Sequence, residues 1–440
     1  MTSTPPQVPS EGPSTGAPGG MPDPELAAAR TFAVVWAANF FAALGMMAFL
    51  PFFPSYLRDT LGVAEENVAL WAGLCVGAAP IAAAVMGPIW GALGDRFGRK
   101  PMLLRALFGL SLMVGLMAFA RSPEVLFLLR IGQGALSGFL PPSVTLVSLS
   151  YPAGRSGRVS GSLSAAMATG TILGPLLGSL FRQHYDPRFL FLATASLCLL
   201  AGVLVLTIAR EPKGFATPDA GRASVPLHTI FPDIGRRLAA MMQRPRLRLG
   251  LLFLFLVQFG LGATNPLLEL YVEELHPTWS AEEVTAHTAW LFTVMAVCGV
   301  FTMPMWGRFG DRRGHGRVLL FAALFSGIGL CVSGWAQVFW VLLAGRIVLG
   351  LFSSGLAPAA FGLVSDVIPR EEQGAANGAV FSARAFALGF SSWIGGWLAS
   401  LLGLRGLFFA GGVGLILLAV FAVKRLSSAP SMAPAPDRAG

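Results

Sequence analysis

The sequence predicts an all-α integral membrane protein whose twelve membrane-spanning helices form two pseudo-symmetric bundles of six. Three observations lead to this fold class. The chain has 440 residues, of which 54% are hydrophobic and only 12% are charged, whereas soluble domains carry roughly 25% charged residues. Apolar runs long enough to cross a bilayer as helices, about 20 residues each, recur along the chain. Motifs of the first half also reappear in the second half at a fixed offset.

Twelve apolar runs, numbered here as spans 1 to 12, divide the chain. Lipid offers no hydrogen-bond partners, so each run must satisfy its backbone internally and is predicted to be a helix. The approximate limits are 31–57, 67–92, 101–120, 124–149, 157–182, 188–209, 248–273, 285–308, 317–335, 338–365, 373–401 and 405–424.

The longest polar gap, residues 210–247, separates spans 1–6 from spans 7–12. Part of this gap, about 229–243, has the composition of a helix lying at the lipid surface. The ends of the sequence are rich in Pro, Ser and Gly, which is typical of disorder, and no cleavable signal is visible. The predicted parts are a tail (1–29), a first bundle (30–209), a cytoplasmic linker (210–247), a second bundle (248–425) and a second tail (426–440).

The basic residues orient the predicted bundle. With the N-terminus inside, twenty-three Lys and Arg residues flank the spans on the inner side and five flank them on the outer side. Cytoplasmic loops of membrane proteins carry such an excess. We therefore expect both termini to be cytoplasmic.

Two motifs recur at an offset of 216 residues. The stretch "GPIWGALGDRFGRKPMLL" from Gly87 matches "MPMWGRFGDRRGHGRVLL" from Met303, and "RIGQGALSGFLPP" from Arg130 matches "RIVLGLFSSGLAP" from Arg346. Two matches in one register indicate an internal duplication. Parallel six-helix repeats are a transporter architecture in which the substrate is handled between the halves.

Several classes of protein are disfavoured. The four cysteines lie singly in apolar runs, without the spacing of a zinc site or a disulfide framework. The five histidines are scattered and no phosphate-cradling GxxxxGK[ST] motif occurs, so we expect no enzyme, no metal, no cofactor and no direct use of ATP. The basic residues lie beside apolar runs, so nucleic acid is not an expected partner.

At these motifs the chain resembles the major facilitator superfamily, over nearly all of residues 30–425. The stretch from Gly87 is similar to the superfamily's signature between helices 2 and 3. Three shorter stretches resemble signatures of the twelve-helix drug:proton antiporters: "LPFFPSY" (50–56), "RIGQGALSG" from Arg130, and "GTILGPLLGS" (170–179), which the second half lacks.

The resemblance implies a monomeric, multi-pass protein of the bacterial inner membrane. It implies export of amphipathic or cationic small molecules in exchange for protons, by alternating access. A proton symporter or facilitator for a sugar or other metabolite is the alternative within transport. A membrane receptor or membrane enzyme is a more distant alternative.

Candidates for proton coupling are Arg130, Glu269 and Arg346. By resemblance, Arg130 is linked to proton transfer, although a structural arginine bonded to backbone carbonyls is an alternative. Arginine does not titrate, so a carboxylate is needed, and Glu269 lies in "NPLLELY" (265–271), the counterpart of "LPFFPSY" at an offset of 215. We expect Glu269 to take the proton or to pair with a cationic substrate, with Arg346 as a possible partner. The alternative places Glu269 in a hydrated outer helix end.

The loop between spans 2 and 3 is predicted to act as a conformational latch. By resemblance, Asp95 faces the inner end of span 11, where an aspartate near a helix N-terminus stabilises the contact between the halves. Asp366 is expected to form an ion pair with the corresponding loop of the second half. The predicted latch residues are Gly91, Asp95, Arg96, Gly98, Arg99 and Asp366.

Small residues in span 5 predict close helix packing. Gly170, Gly174 and Gly178 recur every fourth residue, and Pro175 removes a backbone hydrogen bond. One interpretation is a bend that seals the path between the halves, and the other is ordinary small-residue packing. The predicted substrate cavity is apolar with a few polar groups, with candidates Asn39, Phe40, Met46, Gln133, Gln258 and Arg384. Arg384 either lines a gate or pairs with a carboxylate.

Overall fold

The computed structural model describes residues 24–151, 156–211, 258–356 and 373–427, together with the single positions 236, 239, 243, 248, 255, 358, 359 and 362. Regular structure in these ranges is helical. The predicted surface helix at 229–243 and most of both predicted tails lie outside the described residues.

Within the described residues, the first half contains seven helices longer than a single turn. The first begins at Pro24 rather than at residue 30, because a proline in the first turn, an acidic Glu25 and three alanines favour an earlier helix start. Span 4 is divided in two at Gly138, which has a positive φ of 98°. The helices are α1 (Pro24–Phe49), α2 (Glu65–Phe97), α3 (Arg99–Met117), α4 (Pro123–Leu136), α5 (Leu140–Ser148), α6 (Ser156–His184) and α7 (Pro187–Ile208).

The second half continues with α8 (Leu268–Leu275), α9 (Ala281–Arg313), α10 (His315–Trp335), α11 (Phe339–Ser353) and α12 (Gln373–Ser427). Helix α12 contains spans 11 and 12, with the non-helical Gly403 between them. A kink at glycine is expected because its φ of 70° lies in a region that other residues rarely adopt.

Nine helices among the described residues are long and apolar enough to cross a membrane. They correspond to spans 1–6, 8 and 9, and to a ninth run, residues 380–421, that covers spans 11 and 12 together. Span 10 is represented by the shorter α11, and much of span 7 lies outside the described residues. The predicted all-α membrane class is confirmed, while the full count of twelve stays a prediction.

The two halves meet along two helix pairs, α2 with α12 and α6 with α9. Glycines bring the first pair together. A Cβ on Gly73 would lie 2.3 Å from the Ser392 carbonyl oxygen, and one on Gly389 would lie 2.5 Å from that of Gly77. Backbones this close need small residues on both helices.

The internal repeat is visible in individual contacts. The indole of Trp90 donates to the carbonyl of Ala135 at 2.6 Å, and the indole of Trp306 donates to the carbonyl of Leu351 at 2.7 Å. Each atom of the second bond lies 216 residues after its counterpart in the first. The same register relates Gly98 and Gly314, whose φ angles of 94° and 91° start α3 and α10.

The glycines of the span 5 motif pack α6 against α1, inside the first half. A Cβ on Gly174 would lie 2.7 Å from the carbonyl oxygen of Leu44, and one on Gly178 would lie 2.0 Å from that of Ala48. These contacts match the small-residue packing interpretation. A role in sealing the path between the halves stays a prediction.

The Gly178→Ala substitution is expected to destabilise the protein by about 1–3 kcal/mol, because the new methyl group overlaps the backbone of α1. The measurement is the melting temperature of the purified protein in detergent. Gly161→Ala on the same helix is the matched control, since a Cβ there meets nothing within 4 Å. Equal melting temperatures for the two variants would refute the close approach of α6 and α1.

Candidate functional site

Spans 1 and 7 are both broken by prolines where the two halves meet. After α1 the chain forms a tight 3-10 turn (Leu50–Phe52), a single α-turn (Phe53–Ser55) and a wide π-turn (Tyr56–Thr60). Span 7 has a 3-10 turn, Asn265–Leu267, before α8. Proline lacks an N–H and interrupts the helical ladder. The two 3-10 turns are in contact, at the end of the bundle that the charge count places outside and that we call the outer end.

A buried carboxylate joins the halves at these breaks. Glu269 is only 2% exposed. Its Oε1 accepts a hydrogen bond from the Ser55 hydroxyl at 2.7 Å, and its Oε2 accepts one from the Ser55 backbone N–H at 3.1 Å. Arg182, at the end of α6, donates to Oε1 at 3.2 Å and to the Ser55 hydroxyl at 2.5 Å. Ser55 and Arg182 belong to the first half and Glu269 to the second.

A second ion pair lies closer to the surface. Arg58 donates to both carboxylate oxygens of Glu273, at 3.0 and 2.8 Å. The two residues are 215 positions apart, so they are equivalent in the two repeats and face each other across the pseudo-twofold axis. Both are partly exposed, and exposed ion pairs contribute about 0–1 kcal/mol. The Arg58–Glu273 pair therefore adds little to the stability of the closed outer end.

An acidic cavity of about 530 Å³ lies beside these pairs. Four glutamates from the two halves line it, together with apolar and small residues of α2, α8 and α12. The glutamates are Glu65, Glu66, Glu273 and Glu274.

The expected pairing of Glu269 with Arg346 is wrong for this structure. Arg346 is fully buried, and its Nη2 donates to the side-chain oxygen of Asn265 at 3.0 Å. Its guanidinium also lies 5.4 Å from the ring centre of Phe292. Glu269 instead points into the first half, because the broken turn of span 1 supplies a hydroxyl and a free N–H from Ser55.

Arg130 has the hydrogen bonds expected of a structural arginine, which was the alternative to a role in proton transfer. Its Nε donates to the carbonyl of Cys75 at 2.9 Å, its Nη2 donates to that of Val76 at 3.2 Å, and its Nη1 donates to the side-chain oxygen of Gln133. All three nitrogens of the guanidinium thus have an acceptor. A part in proton transfer stays a prediction for this residue.

The residues predicted for a substrate cavity have separate hydrogen-bond and packing partners, and a shared cavity stays a prediction. Asn39 is fully buried and donates to the Val35 carbonyl at 2.7 Å and to the Ser143 hydroxyl at 2.9 Å. Gln133 is held by Arg130, and Gln258 is buried. Phe40 and Met46 are half-buried. Phe40 stacks on Trp36 with ring centres 5.8 Å apart, and Met46 packs against buried apolar residues, most of which belong to the first half.

Arg384 is exposed. It lies on the same stripe of α12 as Leu388, Ser391 and Gly395, which pack closely against Gly262 and Ala263 of span 7. This stripe packs against span 7, and the role of Arg384 in lining a gate or in pairing with a carboxylate stays a prediction.

The loop between spans 2 and 3 is fastened to the end of α7. The Lys100 ammonium donates to the carbonyls of Leu206 and Ala209 at 2.8 and 2.7 Å, and Glu211 accepts from the backbone N–H of Arg99 at 2.6 Å. The side chains of Asp95 and Arg96 lie outside the described residues, as does Asp366. The latch therefore stays a prediction.

Sequence reasoning missed four residues of this site: Ser55, Arg58, Arg182 and Asn265. One contact could have been predicted from the repeat, because the offset of 215 makes Arg58 and Glu273 equivalent residues of opposite charge. No comparable signal existed for Arg182, whose partner is set by the crossing of α6 and the broken span 1.

Comparisons with known proteins agree with this architecture. The profile of the Major Facilitator Superfamily matches residues 35–285 and 250–439. The chain is 30% identical over 338 residues to the multi-drug resistance efflux pump PmrA of Streptococcus pneumoniae, covering 77% of this chain and 81% of that one. It is 31% identical over 331 residues to the multidrug resistance protein MdtG of Salmonella arizonae, covering 75% and 79%.

A similar solved structure is that of the nucleoside transporter NupG. It superposes with a TM-score of 0.73 at 14% identity, covering 91% of this chain and 99% of that one. At this identity the likeness concerns the fold alone. Together with the helical architecture and the matching profile, these findings establish that the chain is a multi-pass membrane transporter, rather than an enzyme, of the major facilitator superfamily.

Proposed function

We propose that the protein exports amphipathic or cationic compounds across the bacterial inner membrane in exchange for protons. It would act as a monomer by alternating access, with both termini in the cytoplasm. The relatives whose names describe drug efflux support export as the direction of transport. The observation that carries proton coupling is the buried carboxylate of Glu269, shared between the two halves.

The Glu269 cluster links protonation to the state of the outer end. Ser55 and Arg182 move with the first half, so both leave Glu269 when the outer ends separate. A carboxylate in an apolar bundle then needs another partner, because an unpaired charge there is costly. A proton taken from the outer side fills this role, and closure of the outer end returns Arg182 to the ionised carboxylate.

The acidic cavity at the outer end supports this route. Four glutamates in one concave surface create a negative potential that raises the local concentration of cations. Leu270 and Glu273, neighbours of Glu269 on α8, line the same cavity. The cavity therefore places exchangeable protons beside the segment that carries Glu269.

The Glu269→Gln substitution is expected to abolish proton-driven export while the protein still folds. Glutamine keeps a hydrogen bond to Ser55 but cannot bind or release a proton. The measurement is ethidium efflux from proteoliposomes with an imposed pH gradient, and we expect at least a tenfold loss, equivalent to about 1.4 kcal/mol.

The matched control is Glu273→Gln, which also removes an acid that pairs with an arginine of the other half. Because Glu273 is 40% exposed and the other three glutamates of the cavity remain, we expect efflux to fall by no more than about twofold. Wild-type coupling in Glu269→Gln would remove this residue from the mechanism.

The latch hypothesis gives a separate expectation for the inner end. Asp95→Asn should reduce transport about two- to tenfold, the size expected for losing a charge at a helix terminus, and should increase the labelling of cysteines placed at the inner face. Asp311→Asn, at the equivalent position in the second half, should have a smaller effect because His315 and Gly316 replace Arg99 and Lys100 there. Unchanged transport and labelling in Asp95→Asn would end the latch hypothesis.

A further inference from the structure

The guanidinium of Arg346 carries N–H donors that have no acceptor among the described residues. The side chain is fully buried, and only its Nη2 is bonded, to Asn265. Its Nε and Nη1 have no hydrogen-bond partner within the described part of the chain. Most buried polar groups of proteins are hydrogen-bonded, and a buried charge inside a membrane bundle generally marks function.

The equivalent arginine of the first half shows what has changed. Arg130 and Arg346 are related by the repeat, yet Arg130 donates from all three nitrogens. The acceptor Gln133 of the first half corresponds to Leu349 in the second. This replacement removes the side-chain acceptor, and Nε and Nη1 of Arg346 also lack the carbonyl acceptors that Arg130 has.

Asn265 shows the opposite change. At the offset of 215 it corresponds to Leu50, so the second half has an amide where the first half has an apolar side chain. This amide holds one edge of the Arg346 guanidinium without neutralising its charge. Compared with the first half, the second half thus lacks the side-chain acceptor at the position of Gln133 and has an additional amide, Asn265, at the position of Leu50.

The Arg346 environment lies at the contact between the halves. Its neighbours, Asn265 and Phe292, belong to the turn Asn265–Leu267 and to α9, and both elements touch the turn Leu50–Phe52 of the first half. This turn therefore packs against both elements that contact Arg346. Separation of the outer ends would move the turn away from these elements.

From these observations we propose that Arg346 and Asn265 form a binding site for the carboxylate of a transported amphipathic compound. The guanidinium offers a planar fork that matches a carboxylate, the amide of Asn265 offers a second donor, and the Phe292 ring offers an apolar face beside them. The inference rests on the proposed export function and extends its substrates from cations to amphipathic acids and zwitterions.

The test compares a fluorescent acid with its ester. Pyrenebutyrate and methyl pyrenebutyrate differ only in the carboxylate, and each is titrated against the purified full-length protein in nanodiscs, with empty nanodiscs as the blank. We expect the wild type to bind the acid more tightly than the ester. In Arg346→Gln the acid should bind about tenfold more weakly or worse, since a hydrogen bond to a charged group is lost, while binding of the ester should not change.

Two further variants complete the design. Arg346→Lys keeps the charge without the fork and should retain part of the preference for the acid. Arg405→Gln is the charge-matched control, because Arg405 is a half-exposed arginine at the outer end whose nearest carboxylate, Glu274, is 4.0 Å away. It should leave both affinities unchanged.

Two results would overturn the proposal. One is a wild type that binds the ester as tightly as the acid, or that binds neither. The other is an equal loss for acid and ester in Arg346→Gln, which would show a structural role or an exchange of partners with Glu269. Ethidium efflux by the wild type is measured in parallel, so failure of the export function is seen independently of the binding result.

Discussion

The closed outer end depends on one buried interaction, the Glu269 carboxylate bonded to Ser55 and Arg182 across the interface of the halves. The interaction exists because prolines break spans 1 and 7 at equivalent places. Each break interrupts the helical ladder, and in span 1 it presents the N–H and hydroxyl of Ser55 to the second half. The charge of Arg182 then compensates the carboxylate, which burial would otherwise make costly.

Around this point, close helix contacts join the two halves and also stabilise the first half internally. Glycines of α2 and α12 bring the halves together, and glycines of α6 allow α6 to pack closely against α1 within the first half. Dispersion contacts between closely packed backbones, rather than the hydrophobic effect, drive such association in lipid. Lys100 and Glu211 fasten the inner turn to α7 by hydrogen bonds. These contacts within the first half are separate from the Glu269 cluster and can stay in place when that cluster breaks.

The function follows from differences between the repeats more than from their likeness. Contacts that recur at one register, such as the tryptophan–carbonyl bonds of Trp90 and Trp306, maintain the common scaffold. The titratable and unpaired polar groups occur at positions where the two repeats differ. Glu269 stands at the position of Pro54, Asn265 stands at that of Leu50, and Arg346 lacks the acceptors that Arg130 has. In the proposed mechanism this asymmetry lets a proton and a substrate act at different places.

The sequence by itself determined the helical membrane class, most of the spans and the repeat, and it selected Glu269 as a candidate. These follow from hydrophobicity, charge and internal similarity, which are properties of neighbouring residues. Only the tertiary structure decided which residues bond to Glu269. It also decided that all three guanidinium nitrogens of Arg130 have acceptors and that two of those of Arg346 have none among the described residues. Ser55 and Glu269 are 214 residues apart in the sequence, and no local pattern can specify which side chains meet when two proline-broken helices cross.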